Sequence, residues 1–159
     1  MNAGTAKLIM ATAAVCTAGL AQRAFADGGC HDVKAKFTDV YNGGATTSGK
    51  MTNGGVLDGW TATVYNSQAF PTPSSTIVSY SAELTLTTGR GQVKISQVYL
   101  YDFATGQGTV LGYIDPKTST GRFTAATGTL FFNETKTVGT SAPFTYLYDI
   151  SGQICLAGN

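Results

Sequence analysis

The stretch that decides the fold is Thr76-Ile77-Val78-Ser79-Tyr80-Ser81-Ala82-Glu83-Leu84-Thr85-Leu86-Thr87. From Val78 onward its even-numbered residues are apolar, whereas its odd-numbered residues are Ser, Glu or Thr. Because successive side chains of a strand point to opposite faces, this alternation gives one apolar and one polar face. The stretch therefore predicts a long strand of an antiparallel sheet that places only one face against a core.

The residues on either side continue the same pattern. Gly89-Arg90-Gly91 predicts a tight turn, and Gln92 to Phe103 then returns with its own apolar face. Six further alternating runs are separated by clusters of Gly, Asn, Asp, Pro and Ser. They are Val33–Tyr41, Thr46–Thr52, Trp60–Tyr65, Thr109–Ile114, Thr129–Asn133 and Phe144–Leu156. We therefore predict an all-β fold with eight antiparallel strands, closed into a single barrel so that no strand edge is exposed.

The N-terminal residues predict export. Lys7 supplies a positive charge, an apolar stretch follows from Leu8 to Ala21, and Ala24-Phe25-Ala26 has the small-x-small pattern of a signal peptidase site. We predict a secretory signal peptide over residues 1–26, a barrel domain over residues 27–159, and a secreted or periplasmic location.

The composition of residues 27–159 excludes several classes of protein. It holds 22 Thr and 18 Gly but only two Glu, and no segment carries the apolar stripe of an amphipathic helix. All-helical folds and βαβ dinucleotide-binding folds are therefore excluded. Without Lys7 and Arg23, the chain has eight basic and nine acidic residues. This near-neutral charge disfavours nucleic acid as a partner. No apolar run of about 20 residues remains to form a transmembrane helix.

Two cysteines remain after removal of the signal peptide, Cys30 near one end and Cys155 near the other. An even number of cysteines in an exported chain indicates a disulfide. This bridge would hold the first and last segments side by side, as barrel closure requires. Two free thiols in a reducing compartment are the alternative. A metal site is disfavoured because His31 is the sole histidine and zinc needs about four ligands.

The chemistry that the chain lacks also narrows its function. With one histidine, a Ser-His-Asp or Cys-His catalytic site is disfavoured. Glycine-rich phosphate loops and calcium-binding loops are absent, so we expect neither a cofactor nor a metal. Glu83 is a candidate catalytic acid or base only if the Ser and Thr face of its strand lines the barrel; otherwise it is a solvated outer residue.

Aromatic residues are the main candidates for a binding site. Tyrosines recur on the apolar faces of three predicted strands, and we expect them to turn inward together with Trp60. They are Tyr80, Tyr99, Tyr101, Tyr146 and Tyr148. A buried phenol must find a hydrogen-bond partner, so a solid core would favour Leu, Ile or Val. We therefore expect these side chains to line a cavity for a ligand, the alternative being a solid core whose hydroxyls reach the rim.

One segment resembles a known family. Ser119-Thr120-Gly121-Arg122-Phe123-Thr124-Ala125-Ala126-Thr127-Gly128, followed by Thr129-Leu130-Phe131-Phe132, is similar to the T-G-R-F-x-x-A-T-G segment of allene oxide cyclase-like and dirigent-like barrels. The strand pair from Val78 to the turn at Ala104-Thr105-Gly106 resembles that of small exported bacterial members. The likeness covers roughly residues 50–157.

The resemblance implies how such a barrel works. Its members hold a reactive ligand in a preformed apolar cavity that restricts the ligand's conformation, with few side chains taking part in the chemistry. The expected function is binding and conformational restraint of a small apolar or aromatic ligand, with a cofactor-independent cyclase or isomerase as the enzymatic form. The alternatives are a non-catalytic exported structural or interaction module, and a hydrolase on a β-scaffold. An open pocket in the barrel favours ligand binding. An interior filled with aromatic rings favours the structural or interaction module.

Overall fold

The computed structural model of the protein describes residues 29–68, 70 and 72–158. The predicted signal peptide over residues 1–26 lies outside the described residues. The strands are β1 (Gly29–Tyr41), β2 (Thr46–Thr52), β3 (Gly59–Gln68), β4 (Ile77–Thr88), β5 (Gly91–Asp102), β6 (Gln107–Ile114), β7 (Thr127–Val138) and β8 (Phe144–Leu156). Short 3-10 turns at Gly55–Leu57 and Gly121–Phe123 precede β3 and β7. All eight predicted strands are present, and several are a few residues longer than predicted.

The strands form a closed barrel in which each one pairs with the next and β8 pairs with β1. All pairs are antiparallel, so the predicted eight-stranded antiparallel barrel is confirmed. The closing ladder between β1 and β8 runs from Gly29 opposite Leu156 to Tyr41 opposite Phe144. Each strand therefore has a paired neighbour on both sides.

The predicted disulfide is confirmed at the start of this ladder. Cys30 and Cys155 lie directly opposite each other, with Cα atoms 3.8 Å apart, and their sulfur atoms are bonded. In the part of the chain that the structure describes, no helix is long and apolar enough to cross a membrane. The disulfide is compatible with an exported protein.

The two ends of the barrel have different interiors. We call the end that holds the β4–β5 turn and the disulfide the closed end, and the opposite end the open end. The closed end is filled by aliphatic and phenylalanine side chains, which include Leu84, Leu86, Val93, Ile95, Leu130, Phe132, Ile150 and Ile154. Leu57 and Phe123 from the two 3-10 turns are fully buried beneath them. Burial of each such side chain contributes about 1.5–3 kcal/mol, so this end forms the solid core.

The inward faces of β4, β5 and β8 are those that the sequence predicted. Ala82, Leu84 and Leu86 of β4 are buried, and the aromatic face of β8 turns inward at Tyr148. Tyrosines replace aliphatic residues toward the open end of the same strands. The interior therefore changes along the barrel axis from a packed core to an aromatic layer.

The prediction for β3 is wrong by one residue. Trp60 lies on the outer surface with 67% of its area exposed, and Val64 is also exposed, whereas Thr61 and Thr63 are buried. The Lys50 ammonium lies over the Trp60 ring on this surface, 5.2 Å from the ring centroid. This contact and the long side chain of Lys50 cover part of the indole without placing it in the core.

Candidate functional site

The open end of the barrel contains a cavity of about 600 Å³. Much of its wall is aromatic, because rings enter it from β1, β3, β4, β5, β8 and the loop after β5, whereas β6 and β7 contribute Gly108, Glu134 and Thr137. The aromatic lining residues are Tyr41, Tyr65, Tyr80, Tyr99, Tyr101, Phe103, Phe144, Tyr146 and Tyr148. Phe103 at the mouth is largely exposed, whereas Tyr99 deep in the barrel is 4% exposed. This volume suits one small ligand, as in other eight-stranded barrels.

All five tyrosines selected from the sequence lie around this one cavity, which confirms their predicted location; that they bind a ligand stays a prediction. The prediction that Trp60 turns inward with them is wrong, because Trp60 is on the outer surface. Glu83 is also exposed on the outer face of β4. Its hypothetical role as an acid or base required that face to line the barrel, and it does not.

The aromatic rings hold one another in place. Tyr80 and Tyr99, opposite each other on β4 and β5, stack with centroids 5.0 Å apart. Tyr65 packs edge-on against both of them, at 5.5 and 5.4 Å. Tyr146 and Tyr148 form the facing wall, with Tyr148 stacked on Phe37 at 5.5 Å. Such contacts fix the rings, so the shape of the cavity exists before a ligand arrives.

A polar layer separates the cavity from the solid core. Asp39 of β1 is 1% exposed, and its Oδ2 accepts a hydrogen bond of 2.6 Å from the Thr47 hydroxyl. The Tyr99 hydroxyl donates to Oε1 of buried Gln97 at 3.0 Å. Asp39 Oδ1 and Gln97 Nε2 find no hydrogen-bond partner among the residues that the structure describes. A buried polar atom without a hydrogen bond lowers the stability of the folded state, so such atoms are rare in an ordinary apolar core. Their presence distinguishes this layer from the solid core of the closed end.

Burial changes the acidity of these groups. Removal from water raises the pKa of Asp39 to about 6, although the hydrogen bonds from Thr47 and the Val40 backbone lower it. Burial and the nearby Asp39 charge raise the pKa of Tyr65 to about 12. Burial likewise raises the pKa values of Tyr80, Tyr99 and Tyr148 well above the usual value of a phenol. The phenols therefore stay protonated at neutral pH and act as hydrogen-bond donors.

A second carboxyl group, Glu134 of β7, lies in the cavity wall. The Thr137 hydroxyl donates a hydrogen bond to it. A shift in the strand pairing between Glu134 and Lys136 lets Glu134 and Thr137 share the inward face. Gly108 of β6 makes room for the carboxylate, because a Cβ atom there would lie 3.0 Å from Glu134 Oε2 and 3.1 Å from the Tyr101 ring.

Sequence reasoning missed several of these residues. Asp39 lies between Phe37 and Tyr41 on the inward face of β1. The alternating pattern of this strand was therefore the available signal that one carboxylate faces the interior. Tyr65 shares a strand face with Thr61 and Thr63, so the predicted register that turns Trp60 inward places Tyr65 outward. Glu134 fell beyond the predicted end of its strand, and the pairing shift that turns Thr137 inward leaves no clear mark in the sequence.

The arrangement is suited to binding. It offers aromatic rings, phenol hydroxyls and the Glu134 carboxyl group in a preformed space, with the buried Asp39 carboxyl group close by. Among the residues that the structure describes, no three His, Cys, Asp or Glu side chains come together in a way that could hold a metal ion.

Comparisons of the chain with protein-family models, with curated proteins and with solved structures found no match. The resemblance to allene oxide cyclase-like barrels stays a prediction.

Proposed function

We propose that the protein is an exported barrel that binds a small, largely apolar or aromatic ligand in the cavity of its open end and restrains the ligand's conformation. The observation that carries this proposal is the cavity of about 600 Å³ with nine aromatic rings in its described lining. A barrel that served only as a structural module would gain stability by filling this space with side chains. The sequence instead keeps large rings at its edge and leaves the centre open.

The solid core of the closed end supports this proposal. It stabilises the barrel independently of the cavity, so the aromatic layer need not collapse to hold the fold together. Ring–ring contacts at 5.0–5.5 Å among Tyr65, Tyr80 and Tyr99 keep that wall in place. A ligand that enters such a site pays little to order the protein, and it loses much of its own conformational freedom. A cyclase or isomerase without cofactors would be the catalytic form of the same activity.

The test is to fill the cavity and leave the fold unchanged. Val78 of β4 and Ala45 of the β1–β2 loop both line the cavity. The double variant Val78→Trp and Ala45→Trp places two indoles there. The matched control, Val64→Trp with Ala62→Trp, makes the same two changes on the exposed face of β3.

The measurement is fluorescence of the neutral probe N-phenyl-1-naphthylamine titrated with each mature protein. We expect saturable binding to the unaltered protein and to the outer-face control, and binding at least about tenfold weaker to the cavity variant, a change of about 1.4 kcal/mol. Equal loss of binding in both variants, or probe binding that neither variant affects, would contradict the proposal. Circular dichroism of both variants checks that they remain folded.

A further inference from the structure

The charges around the cavity have one sign. Glu134 is part of its wall, and Asp39 lies in the polar layer at its base. None of the described lining residues is Lys, Arg or His. A ligand in this space therefore meets the Glu134 carboxyl group in the wall and no protein cation, and the buried Asp39 carboxyl group lies close to the lining tyrosines Tyr65 and Tyr99.

Glu134 has no charge partner within the described ranges of the chain. The ion pair found there joins Lys36 to Asp149 on the outer surface. Glu134 is half-buried, and one of its carboxylate oxygens accepts a hydrogen bond from the Thr137 hydroxyl. This neutral donor does not compensate the charge of the carboxylate. Burial raises the pKa of Glu134, although hydrogen bonds from the Thr137 hydroxyl and the Gly108 backbone lower it, so the cost of burying its charge is only partly offset. A positively charged group of a ligand inside the cavity would provide the charge partner that Glu134 does not have among the described residues.

The aromatic wall favours the same kind of ligand. The face of an aromatic ring carries negative potential, and several rings around one point attract a cation that has lost its water. Here the rings of Tyr65, Tyr80 and Tyr99 form one wall and those of Tyr146 and Tyr148 form another. Apolar lining without carboxylates would suit a neutral ligand equally well. The combination of aromatic rings with the Glu134 carboxyl group in the wall and the buried Asp39 carboxyl group nearby distinguishes positive from neutral and negative ligands.

We infer that the ligand of this cavity is an organic cation, a molecule with an apolar body and an ammonium group that lies among the tyrosine rings near Glu134. The inference rests on the proposed function, since it specifies the chemical class of the ligand for the same cavity. Carboxylate ligands of the same shape are repelled by Glu134 and Asp39. The site thus selects by charge as well as by shape.

The test compares three ligands that share one apolar body and differ in charge. They are 4-tert-butylbenzylammonium, 4-tert-butylbenzyl alcohol and 4-tert-butylbenzoate, each titrated calorimetrically into the mature, disulfide-bonded protein at pH 8. We expect the ammonium compound to bind about tenfold more tightly than the alcohol, and the alcohol to bind more tightly than the benzoate. This comparison uses the unaltered protein, so it does not depend on the folding of any variant.

A matched pair of variants then locates the selectivity. Glu134→Gln removes the carboxylate of the cavity, and Glu83→Gln makes the same change at the other glutamate, which lies on the outer surface. We expect Glu134→Gln to reduce the preference for the ammonium compound to about threefold or less, with little change for the alcohol. Glu83→Gln should leave both affinities unchanged.

The outcomes separate this inference from the proposed function. Equal binding of the ammonium compound and the alcohol, or tightest binding of the benzoate, overturns the charge selectivity and leaves the cavity as a binding site. An equal effect of Glu83→Gln and Glu134→Gln overturns it as well, because the attraction would then be a general surface effect. If none of the three binds although N-phenyl-1-naphthylamine does, the inference is overturned alone. If the neutral probe also fails, the proposed function falls with it.

Discussion

Asp39 provides a quantitative prediction about stability. Burial raises its pKa from 3.8 to about 6, which means that the folded protein prefers the protonated acid. A group whose pKa is higher in the folded state contributes full stability below its unfolded value of 3.8. That contribution decreases as the pH rises through about 6. A shift of roughly two units corresponds to about 3 kcal/mol.

The variant Asp39→Asn removes this dependence. An amide oxygen can still accept the hydrogen bond from the Thr47 hydroxyl, and the side chain stays neutral at every pH. We therefore expect the variant to be more stable than the unaltered protein by roughly 2–3 kcal/mol at pH 7.5, and nearly equal to it at pH 4. Asp32→Asn is the control, since Asp32 lies on the exposed face of the same strand.

Urea denaturation at intervals of half a pH unit from pH 4 to pH 7.5 gives the free energy of unfolding of each protein. The effect is the difference between each variant and the unaltered protein at the same pH. Glu134 also titrates in this range because burial raises its pKa, whereas local hydrogen bonds lower the pKa values of Asp102 and Asp115 to below this range. These contributions are common to all three proteins and cancel in the difference. A difference between Asp39→Asn and the unaltered protein that does not grow with pH would refute the reasoning, as would an equal effect of Asp32→Asn.

Three further predictions concern the disulfide, the polar layer and the signal peptide. Reduction of the Cys30–Cys155 bridge, which closes a span of 125 residues, should lower the free energy of unfolding by up to about 4–5 kcal/mol in urea denaturation; an unchanged midpoint would contradict its stabilising role. Tyr99→Phe removes the donor to Gln97 Oε1 and should cost about 1–2 kcal/mol in the same assay, whereas no loss would show that water replaces the hydroxyl. N-terminal sequencing of the exported protein should begin at Asp27, and a start at Met1 would contradict cleavage.

The sequence predicted the barrel well where one face of a strand is clearly apolar. The alternation over Thr76–Thr87 holds in the structure, and the returning strand and β8 place their tyrosines inward as expected. The paired positions of Cys30 and Cys155 follow from closure of the barrel by its first and last strands. These elements were predictable because the core and the period-two pattern favour the same arrangement.

The register of β3 was not predictable from hydrophobicity alone. The Trp60, Ala62 and Val64 face is more apolar than the face of Thr61, Thr63 and Tyr65, yet the second one points inward. A shift of one residue exchanges the faces of a strand, so the choice depends on its neighbours. The barrel interior at this level is already occupied by large side chains from other strands, and small threonines fit there.

The polar part of the site depended on details that a single sequence does not display. Asp39 is a charged residue on an inward face, against the usual preference for burial of apolar side chains. Glu134 and Thr137 share the cavity through a shift in strand pairing, which changes the side-chain period at one position. The aromatic lining of the cavity was thus predictable as a cluster, whereas the carboxyl groups in and beside it became visible only in three dimensions.

The most direct test of the central claim is an NMR titration of the mature protein with the neutral ligand 4-tert-butylbenzyl alcohol. Its charge-free structure makes the result independent of the inferred preference for cations. We predict intermolecular nuclear Overhauser effects from the tert-butyl protons to the rings of Tyr80, Tyr99 and Tyr146, which line the cavity at the open end. Contacts confined to outer-face residues such as Trp60, or no contacts at saturating ligand, would contradict the assignment of this cavity as a binding site.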